Sequence, residues 1–196
     1  NVPRICYVNK MDRTGAGFLR CVDMITKRLG ARPLPIYLPI GSEDNFKGMI
    51  DLVQYKALVW TSEDRDAKWD ILDVTPDLAD RLGIAVPTDR AILADAAKYR
   101  TQLVDTCLEM DDAAMEAYLE GEEPSVETLK KCLRKGTIEG AFNPVLCGSS
   151  YKNRGVQQVL DAVVDYLPAP TDVAAINTVD ADGNPVGERK CSDDEP

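Results

Sequence analysis

The sequence has 196 residues, 44% of them hydrophobic, and a formal net charge of −10. That content suits one or two globular domains with a real core, while no apolar run approaches the ~18 residues of a membrane span and no charged start with an apolar stretch marks a signal peptide. The negative charge excludes a grip on nucleic acid by bulk electrostatics; an acidic surface suits a basic protein partner or plain solvation.

Pro3-Arg4-Ile5-Cys6-Tyr7-Val8 is a short apolar run that reads as a strand buried on both faces of a parallel sheet. Residues 9–17 are polar and glycine-bearing, a loop. Phe18, Val22, Ile25 and Leu29 recur at helical spacing, and Gly30 marks a stop. Leu34, Ile36 and Leu38 then alternate between Pro33, Pro35 and Pro39, which confine the run to an edge strand. Residues 47–53 and 56–60 predict two more strands, and 61–70 an acidic loop. One long helix is expected over 88–110, capped by Thr88 or Asp89, with Ile92, Ala96, Tyr99, Leu103 and Cys107 inward. A shorter helix ends near Leu119. Ser125 caps another, with Val126, Leu129 and Leu133 inward and Gly136 at its end.

The opening pattern then returns. Pro144-Val145-Leu146-Cys147 reads as a second buried strand, 148–154 as a polar loop, and Val156, Val159, Leu160, Val163 and Leu167 as a helical stripe ended by Pro168. Two strand–loop–helix units thus bracket a mixed insertion. Pro168-Ala169-Pro170 reads as a linker, and the remainder, with a turn at Asp182-Gly183-Asn184, as the start of another module. Trp60 and Trp69 are expected in the core of the insertion. The chain opens at Asn1 and stops at Pro196 in mid-phrase, so a piece of a longer protein is expected.

There is no histidine, and the six cysteines form no C-x-x-C pair. This argues against a zinc site, a secreted disulfide framework and His-based acid–base chemistry. Cys6 and Cys147 read as small buried hydrophobes, in keeping with a reducing, cytoplasmic setting.

Asn9-Lys10-Met11-Asp12 lies just past the first strand, where open parallel sheets bind ligands. It fits N-K-x-D, the guanine-reading motif of GTP-binding proteins. Guanine presents two adjacent donors, N1–H and the exocyclic N2–H, and an ionised Asp12 accepts both in a charge-assisted bidentate pair. Adenine lacks both, and a site built for paired polar groups rejects such a mismatch by roughly four orders of magnitude in good cases. Asn9 would bond the opposite edge of the base and tie neighbouring loops together. The Lys10 stem would lie along the base face.

Past the second strand stands Gly148-Ser149-Ser150-Tyr151-Lys152-Asn153, which resembles the G-S-A-F-K-N loop of the elongation factor G family of translational GTPases. By that resemblance the Ser150 N–H reaches guanine O6 and the Ser149 hydroxyl steadies Asp12; Ser150 replaces the usual Ala, to which a backbone donor is indifferent. Ser149 as a nucleophile would lack a histidine base. Asn9 to Arg13, Pro39-Ile40-Gly41-Ser42-Glu43-Asp44-Asn45-Phe46, Tyr118 to Glu123, Lys152 to Gln157, Leu160 to Pro168 and Ser192-Asp193-Asp194-Glu195-Pro196 are similar to the same family.

The resemblance implies an α/β fold: the C-terminal part of a P-loop GTPase parallel sheet with an inserted α+β G′ subdomain. The expected divisions are 1–30 and 141–170 for the GTPase part, 31–140 for G′, and 171–196 for a linker and the start of a β-barrel domain. It implies GTP or GDP as ligand, and Mg2+ held through residues not present here. The implied partners are the ribosome, whose stalk protein would meet the helices of 88–133, and tRNA and mRNA through the full-length translocase; no membrane is expected. No G-x-x-x-x-G-K-[ST] occurs, so this piece alone is expected not to hydrolyse GTP. The rival readings are a non-catalytic interaction module, and a ribosome-recycling, organellar or ribosome-protection relative.

Overall fold

Three short strands, far apart in sequence, build a parallel sheet. The computed structural model describes residues 2–62, 68–172 and 175–192. In chain order β1 (Cys6–Val8), α1 (Phe18–Leu29) and β2 (Pro33–Pro35) lead into β3 (Tyr37–Ile40), β4 (Gly48–Asp51), β5 (Lys56–Trp60) and β6 (Trp69–Asp73). Helices α2 (Leu78–Arg81), α3 (Pro87–Ala94), α4 (Ala96–Leu108), α5 (Asp112–Leu119) and α6 (Val126–Glu139) follow. Then come β7 (Asn143–Cys147), α7 (Val156–Tyr166) and the hairpin β8 (Ile176–Val179) and β9 (Pro185–Arg189).

The parallel sheet has the order β1-β7-β2, and the antiparallel one β3-β4-β5-β6. Central β7 is buried at every residue. Its Pro144 costs no ladder bond. Asn143 N–H points to β2, bonding Arg32 C=O, and Gly148 N–H points to β1, bonding Val8 C=O. By alternation Pro144 N faces the β1 side, where pairing begins only at Val145. The prolines of 33–39 do fall on edges, but the single expected strand is two. Ile36 divides them: its N–H donates to Val145 C=O in one sheet and its C=O accepts Leu52 N–H beside the other, both at 3.0 Å. Sheet membership therefore changes at Ile36, inside the 31–140 segment.

Other expectations need correction. β1 lies at a sheet edge and its residues are only half-buried, so Cys6 is not a core residue while Cys147 is. The 61–70 loop ends early, because β6 pairs with β5 and places Trp69 opposite Trp60. Both tryptophans are half-buried against the core; residues 63–67 lie outside the described ones. The long helix breaks at Asp95 (φ −85°, ψ 2°) into α3 and α4, though its inward stripe holds in Ile92, Ala96, Leu103 and Cys107. Its start is Val86 with Pro87 at the first position, not a Thr88 or Asp89 cap.

Ser125 does cap α6, accepting Thr128 N–H at 3.1 Å, a contribution of about 1 kcal/mol. That helix runs past Gly136 and closes at Gly140. The stripe expected on α7 holds only in part: Val159 packs on the core beside buried Gln158, Ala162 and Tyr166, while Leu160 and Val163 are 61% and 41% exposed. Polar contacts also join this helix to α6. Lys130 pairs with Asp165 at 2.7 Å, and Arg134 bonds the carbonyls of Val164, Asp165 and Leu167 at 3.2, 3.0 and 3.0 Å.

One apolar core runs continuously from Met11 and Phe18 through Leu38, Ile50 and Leu133 to Val145 and Tyr166. No helix among the described residues is long and apolar enough to cross a membrane. The expected turn at Asp182-Gly183-Asn184 joins β8 to β9, where Asp180 Oδ1 accepts the N–H groups of Asp182 and Asn184, both at 2.9 Å. Asp193 to Pro196 lie outside the described residues.

Candidate functional site

Val8 and Cys147 are register partners on adjacent parallel strands, so both polar loops leave the sheet at the same end. They are stitched together at once. Met11 N–H donates to Gly148 C=O at 3.0 Å. Asn9 Oδ1 accepts the N–H of Lys10 at 2.7 Å and of Ser150 at 3.0 Å. Ser149 is buried; its hydroxyl lies near enough to Asp12 to favour the ionised carboxylate, and its oxygen accepts Lys152 N–H at 3.4 Å. Reciprocal backbone bonds of 2.8 and 2.9 Å between Ser149 and Arg154 close the second loop.

Asn9, Lys10, Asp12, Ser149 and Ser150 thus gather at one end of the sheet. Lys10 is left-handed at φ 62° and Asn153 at φ 52°. For a lysine that conformation costs on the order of 1 kcal/mol and persists only where neighbours impose it. With its Oδ1 doubly engaged, Asn9 keeps its Nδ2 as a donor. The Ser150 N–H is already used by Asn9, so any ligand acceptor would compete for it.

Burial raises the pKa of Asp12, but the Ser149 hydroxyl, its own backbone N–H and the charges of Lys152 and Arg13 outweigh it. The carboxyl is held below its usual range, an ionised double acceptor at neutral pH. Tyr7 Oη donates to Arg154 C=O at 3.1 Å. Burial, against a hydrogen bond to Ser150, pushes its phenol up to about 12, which keeps it a donor.

Two residues escaped the sequence reading. Glu43 donates its N–H to Met11 C=O at 2.8 Å and accepts Gly15 N–H on Oε1 at 2.6 Å. Arg154 reaches from the second loop to Phe46 C=O at 2.6 Å and stacks over Trp60 at 5.4 Å. Both belong to runs noted only for their resemblance; nothing in their spacing signals contact with the loops. Of the acids on the expected docking helix, Asp89 is buried on the Ser42 hydroxyl and Glu109 is paired with Arg32. Asp95 and Asp105 remain exposed. Among the described residues no cluster of three or more His, Cys, Asp or Glu is placed to hold a metal ion.

Residues 1–169 match the family model of the elongation factor Tu GTP-binding domain. The chain belongs to this family of GTPase domains. Its mixed α/β architecture around a parallel sheet is that of a P-loop GTPase. Among solved structures it is similar to a protein from Thermus thermophilus, at 25% identity and a TM-score of 0.65 over 88% of this chain. The chain spans 24% of that protein's length.

Proposed function

We propose that this chain reads the guanine base of GTP and GDP for a longer translational GTPase of the elongation factor G type. The observation that carries the reading is the union of two motifs: Asn9 holds the Ser150 amide at 3.0 Å and Gly148 C=O holds the Met11 amide at 3.0 Å, with Ser149 beside Asp12. The donor set suits guanine. Ionised Asp12 accepts N1–H and N2–H, and the Nδ2 of Asn9 donates to the acceptor edge. The nucleotide's phosphates supply the reactive bond, and they and Mg2+ would be held by residues outside this sequence. The chain alone should therefore bind guanine nucleotide far more weakly than the full-length protein, which calorimetry measures.

In the same reading the insertion faces the ribosomal stalk protein through α3–α6, with exposed Asp95, Asp105, Asp112, Glu116 and Glu127 among the acids available to a basic partner. Hydrolysis, performed by the full-length protein, would drive tRNA and mRNA through the ribosome in the cytoplasm. The deciding experiment is Asp12→Asn in the full-length protein. Xanthine carries an oxygen where guanine carries its amino group, so an amide donor fits it, and preference should move from GTP to xanthosine triphosphate. Unchanged GTP use would end the base-reading assignment.

A further inference from the structure

The run Pro39 to Phe46 lies outside both base-reading loops, yet both are fastened to it. After β3 the chain turns at Gly41 (φ 81°), where a Cβ would stand 1.9 Å from Asn45 C=O, so the turn is as tight as a backbone allows. Ser42 then leads into a single 3-10 turn, Glu43–Asn45. Glu43 is left-handed at φ 55°, a strained state for a non-glycine residue that its surroundings must enforce.

Those surroundings are the first loop. Glu43 N–H holds Met11 C=O at 2.8 Å, while Gly148 C=O holds Met11 N–H at 3.0 Å, so the peptide groups flanking Met11 are gripped from both sides. Glu43 Oε1 takes the Gly15 N–H at 2.6 Å. Asp12 lies between these two anchor points. The second loop is fixed to the same turn by Arg154 on Phe46 C=O at 2.6 Å. On the far side Ser42 Oγ donates to the buried Asp89 carboxylate of α3 at 2.9 Å.

We infer that the turn Ser42–Phe46 is a positioning element: it sets Asp12 against the base and ties that setting to helix α3 of the insertion, so that Glu43 is a specificity determinant without touching the nucleotide. The inference rests on the base-reading role of Asp12. It accounts for the strained Glu43 backbone, which two bonds to the loop hold in place. It also gives a physical route by which load on α3 reaches the nucleotide: Asp89, Ser42, Glu43, then the peptide of Met11.

The test compares GDP with IDP, whose hypoxanthine lacks the exocyclic amino group, in the full-length protein by calorimetry. Glu43→Asp keeps the charge and tolerates the left-handed backbone, but is one methylene too short for Gly15 N–H. It should lower the GDP-to-IDP affinity ratio roughly fivefold, the scale of one ordinary hydrogen bond. Glu43→Gln retains an Oε1 acceptor and should hold the ratio near wild type at an unchanged melting temperature. A fall for both variants alike, or for neither, overturns the inference. Asp12→Asn separates the two levels: if it shifts the ratio and Glu43→Asp does not, only the positioning role is lost; if Asp12→Asn leaves the ratio unmoved, the base-reading assignment fails first.

Discussion

The side chain of Asn9 accepts the backbone N–H of Ser150 at 3.0 Å, across a sequence separation of 141 residues. Strand register brings the loops near each other, and this bond fixes their spacing. Asn9→Ala removes the acceptor and should speed hydrogen exchange at the Ser150 amide roughly fivefold, equivalent to about 1 kcal/mol. Asn9→Asp, whose carboxylate still accepts both amides, should keep the protection. Amide exchange followed by NMR gives both answers; equal protection in the alanine variant would mean that the loops hold together without Asn9.

Gly136 shows the opposite of a helix end. It sits inside α6, and a Cβ there would lie 2.2 Å from Cζ of Phe142, whose ring is buried. Alanine is the better helix former by about 1 kcal/mol, but overpacking a fixed ring costs about 1–3 kcal/mol. Gly136→Ala should therefore lower the urea midpoint. In a Phe142→Leu background the same change should be neutral or stabilising, because the obstructing ring is gone.

The contrast between Gly136 and Gly140 shows how far the sequence could be read. Period and punctuation located α1, α5, α6, β4, β5 and β7, because each follows its own local pattern. Choosing which of two glycines ends a helix needs the position of Phe142, which no local pattern carries. The same holds for α7: Leu160 and Val163 look inward by period, and only the packing of Gln158, Ala162 and Tyr166 shows which face is covered. Asp95 breaks one long periodic run into α3 and α4 without proline or glycine to announce it. At the candidate site, Asn9 and Asp12 stand out from the hydrogen-bonding pattern of guanine, and Ser149 only from the resemblance of its loop. Glu43 and Arg154 do not, since their partners are backbone groups supplied by distant loops.

The cysteines offer a direct check on burial. Burial pushes the thiols of Cys107, Cys132 and Cys147 up, and all three are buried, whereas Cys191 is exposed and Cys6 and Cys21 are half-exposed. The thiolate is the reactive form. A thiol reagent at neutral pH should label Cys191 first, Cys6 and Cys21 more slowly, and the other three only on unfolding. Cys191→Ser should delete the fast phase alone. Rapid labelling of Cys147 would contradict its place in the central strand.

Asp51 gives the chain a pH dependence of definite sign. Its Oδ1 accepts the N–H groups of Val53 and Gln54 at 2.8 and 2.9 Å, and its Oδ2 accepts the Tyr37 hydroxyl at 3.1 Å. Burial nevertheless raises its pKa more than these bonds and Lys130 lower it. The folded-state pKa then exceeds the unfolded value of about 3.9, so the folded chain binds the proton more tightly. The stability from this group is full below about pH 4 and is lost as pH rises through the folded pKa. Asp51→Asn keeps an oxygen for both amides and directs an N–H toward Tyr37 Oη, with no titration. The stability of the variant relative to wild type should therefore climb as pH rises from about 4 through the folded pKa of Asp51, and then level off. Urea midpoints for both proteins across that range measure it, and a difference independent of pH would mean that Asp51 keeps an ordinary carboxylate pKa inside the fold.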